Sequence, residues 1–303
     1  MDLKFLLTQE SMSNTPGIDS SMDFKEFYRV YVKEGIARPD LMIKYGLPAL
    51  ETSGHMGVDK WILLESLFVA SIELGDAALA KRCLDELTKE FPESVRVGIL
   101  QGRELEAQGK FNEAIKLYNG FLEKSLGNLE VMKRLVCCKK SMGDLTGAVK
   151  QLHNLLDTYQ GDVHSWKELS EIHLLNGDLK EAAHCLEELV MSRPISVEYH
   201  NKLADINYSI NEFKSVTIAR KHYAISLRHQ EGRINLKAVY GLAAAGKWLM
   251  DHYDKADRGA ESRYNFMGEE ISESEEVAEI EKNRQLYEYA QKKLREMNLP
   301  AFQ

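Results

Sequence analysis

The sequence predicts an all-α fold, a solenoid of paired helices closed by a C-terminal capping helix. Three observations carry that prediction. A glycine recurs at Gly75, Gly109, Gly143 and Gly177, every step being 34 residues. Three more columns keep the same step: Ala80, Ala114, Ala148 and Ala182; Leu84, Tyr118, Leu152 and Leu186; Leu87, Phe121, Leu155 and Leu189. Proline, which breaks helices, stands at Pro92 and Pro194 and nowhere between them.

Each column has a physical reason. The apolar residues fall at +5, +9 and +12 from each glycine, which is one face of a helix. A matching stripe precedes the glycine and is clearest as Trp166, Leu169, Ser170 and His173. Each unit therefore reads helix, tight turn, helix. Glycine suits the left-handed position that ends the first helix. Asp178 stands where it can cap the second, with Glu181 completing a capping box. The alanine column lets two helices approach closely, and Leu186 is a core position. One unit cannot bury its own apolar face, so copies stack. A 34-residue period of W-x2-L-x3-H, then alanine, then proline is the tetratricopeptide (TPR) pattern, which implies a right-handed superhelix of helix–turn–helix units.

Along the chain, residues 1–21, rich in Ser, Thr, Asn and Pro-Gly, read as a flexible tail. The solenoid is expected over 22–250. Two short helices at 23–35 and 39–50 lead into units near 61–94, 95–128, 129–162, 163–196 and 197–233, with a partial unit at 234–250. In the fifth unit the turn residue is Asn211, and about three extra residues are expected to delay its alanine to Ala219. Residues 251–275 read as an acidic, flexible insertion, and 276–298 as the capping helix. Ser272, with Glu275 after it, has the form of an acidic kinase site.

Composition narrows the function classes. A net charge of −8 argues against nucleic acid, which needs a concentrated basic footprint. No run of about 18 apolar residues is present to span a bilayer, so membrane contact is expected to be indirect, through partners. The N-terminal stretch has too short an apolar run and the wrong charge order for a secretory signal. Cys83, Cys137, Cys138 and Cys185 lack zinc-ligand spacing and read as buried free thiols. No nucleotide, hydrolase or metalloprotease motif occurs, and His173 and the His184–Cys185 pair read as structural. No catalytic residue, cofactor or metal is expected.

A binding surface remains. In TPR stacks the first helix of each unit lines the concave side. There the sequence puts Arg96, Arg103, Lys133, Lys140 and Lys167, a basic stripe in an acidic chain, continued by Glu171 and Asp205. These seven residues are the candidate groove for an acidic peptide segment. A chaperone-type two-carboxylate clamp needs asparagine at the ninth repeat position, where this chain has Val69, Arg103, Cys137, Glu171 and Asp205.

The middle of the chain also resembles the family of subunit 2 of the endoplasmic-reticulum membrane protein complex. The resemblance rests on WKELSEIHL (166–174), EAAHCLEELVMSRP (181–194), Tyr199, Ala204, Tyr208, ARKHYAISL (219–227) and AVYGL (238–242), and covers roughly 58–250. It implies a non-catalytic scaffold, peripheral on the cytosolic side of that membrane. It implies, as partners, the cytosolic segments of the membrane-embedded subunits, and a part in inserting tail-anchored and multi-pass proteins. The alternative is a free-standing cytosolic TPR adaptor or co-chaperone that binds acidic peptide segments.

Overall fold

The structure, a computed structural model, describes residues 38–52, 59–124, 127–229, 235–254, 273–297 and 299–300. The expected tail, the helix at 23–35, Ser272 and most of the acidic insertion lie outside these residues. The described residues form thirteen helices and no strand. They are α1 (Pro39–Thr52), α2 (Asp59–Leu74), α3 (Ala77–Glu90), α4 (Val95–Ala107), α5 (Phe111–Lys124), α6 (Leu129–Ser141), α7 (Leu145–Thr158), α8 (Val163–Asn176), α9 (Leu179–Ser192), α10 (Val197–Ile210), α11 (Phe213–Arg228), α12 (Leu236–Asp254) and α13 (Glu273–Glu296). The fold class is all-α and TPR-like, and the chain divides into two compact units, Met1–Gly143 and Asp144–Gln303.

The glycine column is a column of turns. Gly75, Gly109, Gly143 and Gly177 have φ of 76°, 74°, 76° and 82°, and Asn211 takes the same left-handed place at 61°. The amide that follows Gly75, Gly109 and Gly177 reaches back to close the turn. Asp76 N–H donates to the Ser71 carbonyl, Lys110 to Leu105 and Asp178 to His173, each at 2.9 Å. Side-chain caps follow at Asp76, Asp144, Asp162, Asn128 and Ser196. Asp178 departs from expectation. It makes no side-chain cap, so the capping box does not form, and its carboxylate lies 3.5 Å from His173 Nδ1 on the preceding helix.

In the first unit, α1 to α4 share a core of Met42, Leu63, Leu64, Leu67, Phe68, Ala80, Leu84 and Leu87. The next core joins Ile99, Ala114, Tyr118, Val131, Leu135 and Cys138. Here the two repeat columns carry rings, Tyr118 and Phe121, and the facing helix makes room with glycine. A Cβ on Gly98 would stand 2.2 Å from Phe121, and one on Gly102 would stand 2.3 Å from Tyr118. Large and small residues have been exchanged across one interface.

In the second unit, Ala148, Leu152 and Leu155 are fully buried. Ala182, Leu186 and Leu189 pack with Leu203 and Ile206, and Trp166 lies at the rim of that cluster. Trp166 is only partly buried and donates its indole N–H to the Gln160 carbonyl at 2.7 Å. The thiols of Cys83, Cys138 and Cys185 are buried, and burial pushes them up to about 11, 12 and 12. Cys137 is half-buried instead.

The last two units correct the sequence reading. The fifth places no extra residues before its second helix; they follow α11 instead, since α12 starts 39 residues after α10. Val216, Arg220 and Tyr223 sit 34 residues after Ala182, Leu186 and Leu189, and all three are buried. The column holds, but with different residue types, and Ala219 is buried beside it as a neighbour on the same helix. The sixth unit is not partial. Helix α12 runs on to Asp254, and α13 begins at Glu273, before the expected 276. The two pack antiparallel: Ile280 packs on the cluster of Ala245 and Leu249, Asn283 donates to the Gly246 carbonyl, and Ala290 and Leu294 share a core with Val239 and Leu242. The expected cap is thus the second helix of a sixth pair.

Candidate partner-binding cleft

Three of the seven candidate groove residues come together in the second unit. Lys167 and Glu171 on α8 and Asp205 on α10 line one cleft of about 360 Å³, floored by Leu179, Leu186 and Leu189 of α9 and by Tyr199 and Ile206 of α10. Helix geometry explains the meeting. Lys167 and Glu171 are four apart on α8, hence on one face, and Asp205 sits 34 residues after Glu171 on the equivalent helix. The floor is apolar because it is the face the repeat columns already dedicate to packing. Leu174, beside the cleft, is 41% exposed and Leu175 is 76% exposed.

The charges around this cleft differ in their freedom. Lys167 and Glu171 make no ion pair or hydrogen bond among the described residues. Lys202, which the sequence reading missed, lines the opposite side and holds Glu198 at 2.9 Å. That hydrogen bond, with Lys167 near by, keeps the Glu198 carboxyl below its ordinary range. Asp205 is already engaged. It accepts from the Tyr223 hydroxyl at 2.7 Å and is ion-paired with Lys237. Its negative charge is therefore neutralised within the chain.

The other four candidates belong to the first unit. Arg96 is ion-paired with Glu65 at 2.6 Å. Lys133 and Lys140 are half-buried on α6. Arg103 lies on α4 near a tight cluster that sequence periodicity did not indicate. Glu106 Oε1 accepts from the Tyr118 hydroxyl at 2.6 Å and from Arg134 Nε at 3.0 Å, and its other oxygen pairs with Arg134 Nη2. Burial and the neighbouring Arg134 hold Arg103 below the usual arginine range. His184 is exposed while Cys185 is buried, so that pair diverges as expected of adjacent helix positions.

Comparison with known proteins agrees with the architecture. Residues 87–222 match the family model described as the EMC2 TPR-like repeat domain. The chain is 28% identical over 221 residues to ER membrane protein complex subunit 2-A of Xenopus laevis, covering 73% of this chain and 74% of that one. It is 30% identical over 192 residues to subunit 2-B of the same species, covering 63% and 64%. It is 27% identical over 235 residues to TPR repeat protein oca3 of Schizosaccharomyces pombe, covering 77% and 81%. The matched region holds the glycine turns at Gly109, Gly143 and Gly177 and the whole cleft from Lys167 to Ser209. The repeat register and the paired helices agree with these matches: over residues 87–222 the chain is similar to the EMC2 TPR-like repeat domain, and over most of its length to ER membrane protein complex subunit 2 of Xenopus laevis.

Proposed function

We propose that this chain is the TPR subunit of an ER membrane protein complex, peripheral on the cytosolic side, where it holds cytosolic segments of the membrane-embedded subunits. Through that grip it supports insertion of tail-anchored and multi-pass proteins. The observation that carries the reading is the EMC2 domain match over 87–222, with relatives of that name aligned over most of their length. The family is a non-catalytic TPR type. Among the described residues no helix is long and apolar enough to cross a membrane, which suits a subunit held through partners. The cleft suits a polypeptide. Its apolar floor takes side chains from an extended or helical segment, while Lys167, Lys202 and Glu171 at the rim orient it.

The test is purification of the tagged full chain from membranes in mild detergent, with its stoichiometric partners identified. The reading expects integral subunits of one complex to co-purify and to resist moderate salt. A free-standing adaptor gives a different result: recovery in the soluble fraction with no membrane protein attached.

A further inference from the structure

Arg103 stands apart from the other cations of the first unit. Arg96 has Glu65, and Arg134 has both oxygens of Glu106. Arg103 is half-buried, yet makes no ion pair or hydrogen bond among the described residues. Two carboxylates, Glu106 and Glu73, lie near enough to attract it. Glu106 is occupied by Tyr118 and Arg134, and Glu73 does not reach it within ion-pair distance. Arg103 is only half-buried, which leaves it a solvent-facing side. A cation withdrawn from water without a counter-ion is costly to the free chain. Its neighbours in the same repeat column, Val69 and Cys137, bring no charge to offset it.

We propose that Arg103 is an anchoring residue for one carboxylate side chain, an aspartate or glutamate presented by a partner polypeptide. The proposal rests on the reading of the chain as a scaffold that holds partner segments, and it names the chemistry those segments bring. The local charge count favours a single negative charge. Arg134 takes both oxygens of Glu106, and Glu73, which attracts Arg103 from beyond ion-pair distance, offsets it only in part, so one monoanion is enough to pair it. A phosphate dianion would bring a second negative charge against Glu106 and Glu73. The planar guanidinium offers a fork of donors that a carboxylate meets with two parallel hydrogen bonds. Arg103 is thus left open in the free chain because a partner closes it in the assembly.

Two measurements test this. In the first, the Arg103 Nε–Hε signal of the arginine-labelled full chain is followed by NMR, identified by its loss in Arg103→Gln. The probes are N-acetyl-glutamate N-methylamide, its glutamine analogue and inorganic phosphate, each at matched ionic strength. The proposal expects a saturable shift with the capped glutamate and none with the glutamine analogue or phosphate. No shift with the capped glutamate, or a phosphate shift at lower concentration, overturns it.

In the second, wild type, Arg103→Gln and Arg103→Lys are compared in detergent purification from membranes. Arg103→Gln is expected to keep or raise the thermal midpoint of the free chain, since it removes an unpaired charge and breaks no hydrogen bond or ion pair among the described residues. It is expected to weaken retention of the partners by about tenfold or more, with Arg103→Lys between. Partners retained equally by Arg103→Gln and wild type overturn the assignment. If wild type itself recovers no membrane subunit, the scaffold reading fails instead, and the glutamate titration still decides the chemistry of Arg103.

Discussion

The guanidinium of Arg220 is fully buried and lies 3.0 Å from the Glu279 carboxylate, 59 residues further along the chain. The same guanidinium donates to Asn283 Oδ1 at 3.2 Å, and Asn283 in turn donates to the Gly246 carbonyl at 2.9 Å. Arg220 occupies the column that holds Leu84, Tyr118, Leu152 and Leu186 in the earlier units. An apolar packing position has become a polar latch that fixes the last helix in register. Breaking such a pair from one side leaves a buried charge, which costs about 3–5 kcal/mol. Removing Arg220 instead leaves Glu279, whose side chain is 27% exposed and can be solvated, together with the neutral Asn283 amide, which costs less than a fully buried unpaired charge. Glu279→Ala is therefore expected to destabilise the chain more than Arg220→Leu, measured by urea midpoint. Hydrogen exchange along 283–294 is expected to rise in Glu279→Ala first. Equal losses in the two variants would show that the pair acts through packing alone.

The exchange of size between α4 and α5 gives a double-mutant test. Gly102→Ala drives a methyl into the Tyr118 ring and is expected to cost about 1–3 kcal/mol by overpacking, despite alanine's better helix propensity. Tyr118→Leu, the residue other units carry there, opens the space but removes the hydroxyl from Glu106. Combining the two is expected to recover part of the Gly102→Ala loss, a coupling read from the thermal midpoints. Additive losses would mean that the ring moves aside freely.

The turn column makes a backbone prediction. Gly177→Ala forces a Cβ into the left-handed region at φ 82° and is expected to cost about 1–2 kcal/mol. Gly177→Asn is expected to cost less, because Asn211 already holds that conformation one unit later. Urea melts of the two variants rank them, and the reverse order would count against the turn geometry.

Acid sensitivity follows from a histidine pair. His200 Nε2 lies 2.9 Å from the Pro194 carbonyl and so carries the proton there. That leaves its Nδ1 to accept from His222 Nδ1 at 2.8 Å. Burial, together with His200 and Lys221, pushes His222 down to about 4 from its ordinary 6.5. The folded chain therefore keeps His222 neutral where the unfolded chain binds a proton. This contribution to stability is complete above about pH 6.5 and is lost as pH falls toward 4, with uptake of about one proton on unfolding. His222→Gln keeps a donor and is expected to flatten the dependence of thermal midpoint on pH between those limits. An unchanged slope would place the acid sensitivity elsewhere.

Much of the architecture was legible in the sequence because a left-handed turn and a close helix approach each admit few residue types. Gly75, Gly109, Gly143 and Gly177 therefore announced the period, and the alanines confirmed it. The fifth unit hid its register by meeting the same demands with other residues: Asn211 for glycine, Val216 for alanine and Arg220 for leucine. Ala219, three places past Val216, falls on nearly the same helix face, so the apolar pattern alone read equally well one turn late. The sixth pair was obscured because residues 255–272 separate its helices. For the cleft, repeat position set Lys167, Glu171 and Asp205 on equivalent faces of α8 and α10, since periodicity fixes faces. It did not tell which charges were already spent. The partners of Arg96, Arg134 and Asp205 stand on neighbouring helices, and only folding brings Glu65, Glu106 and Lys237 to them.

The central claim, that the cleft between α8 and α10 holds a segment of a membrane-embedded partner, is tested most directly by site-specific photocrosslinking in intact membranes. A photoreactive side chain is placed at Glu171 in the cleft, and another at Glu188, which is half-buried on α9 and does not line it. The account predicts that Glu171 crosslinks to a cytosolic segment of an integral membrane protein and that Glu188 does not. Crosslinking at Glu171 only to soluble proteins, or to the same membrane segment as strongly from Glu188, would contradict it.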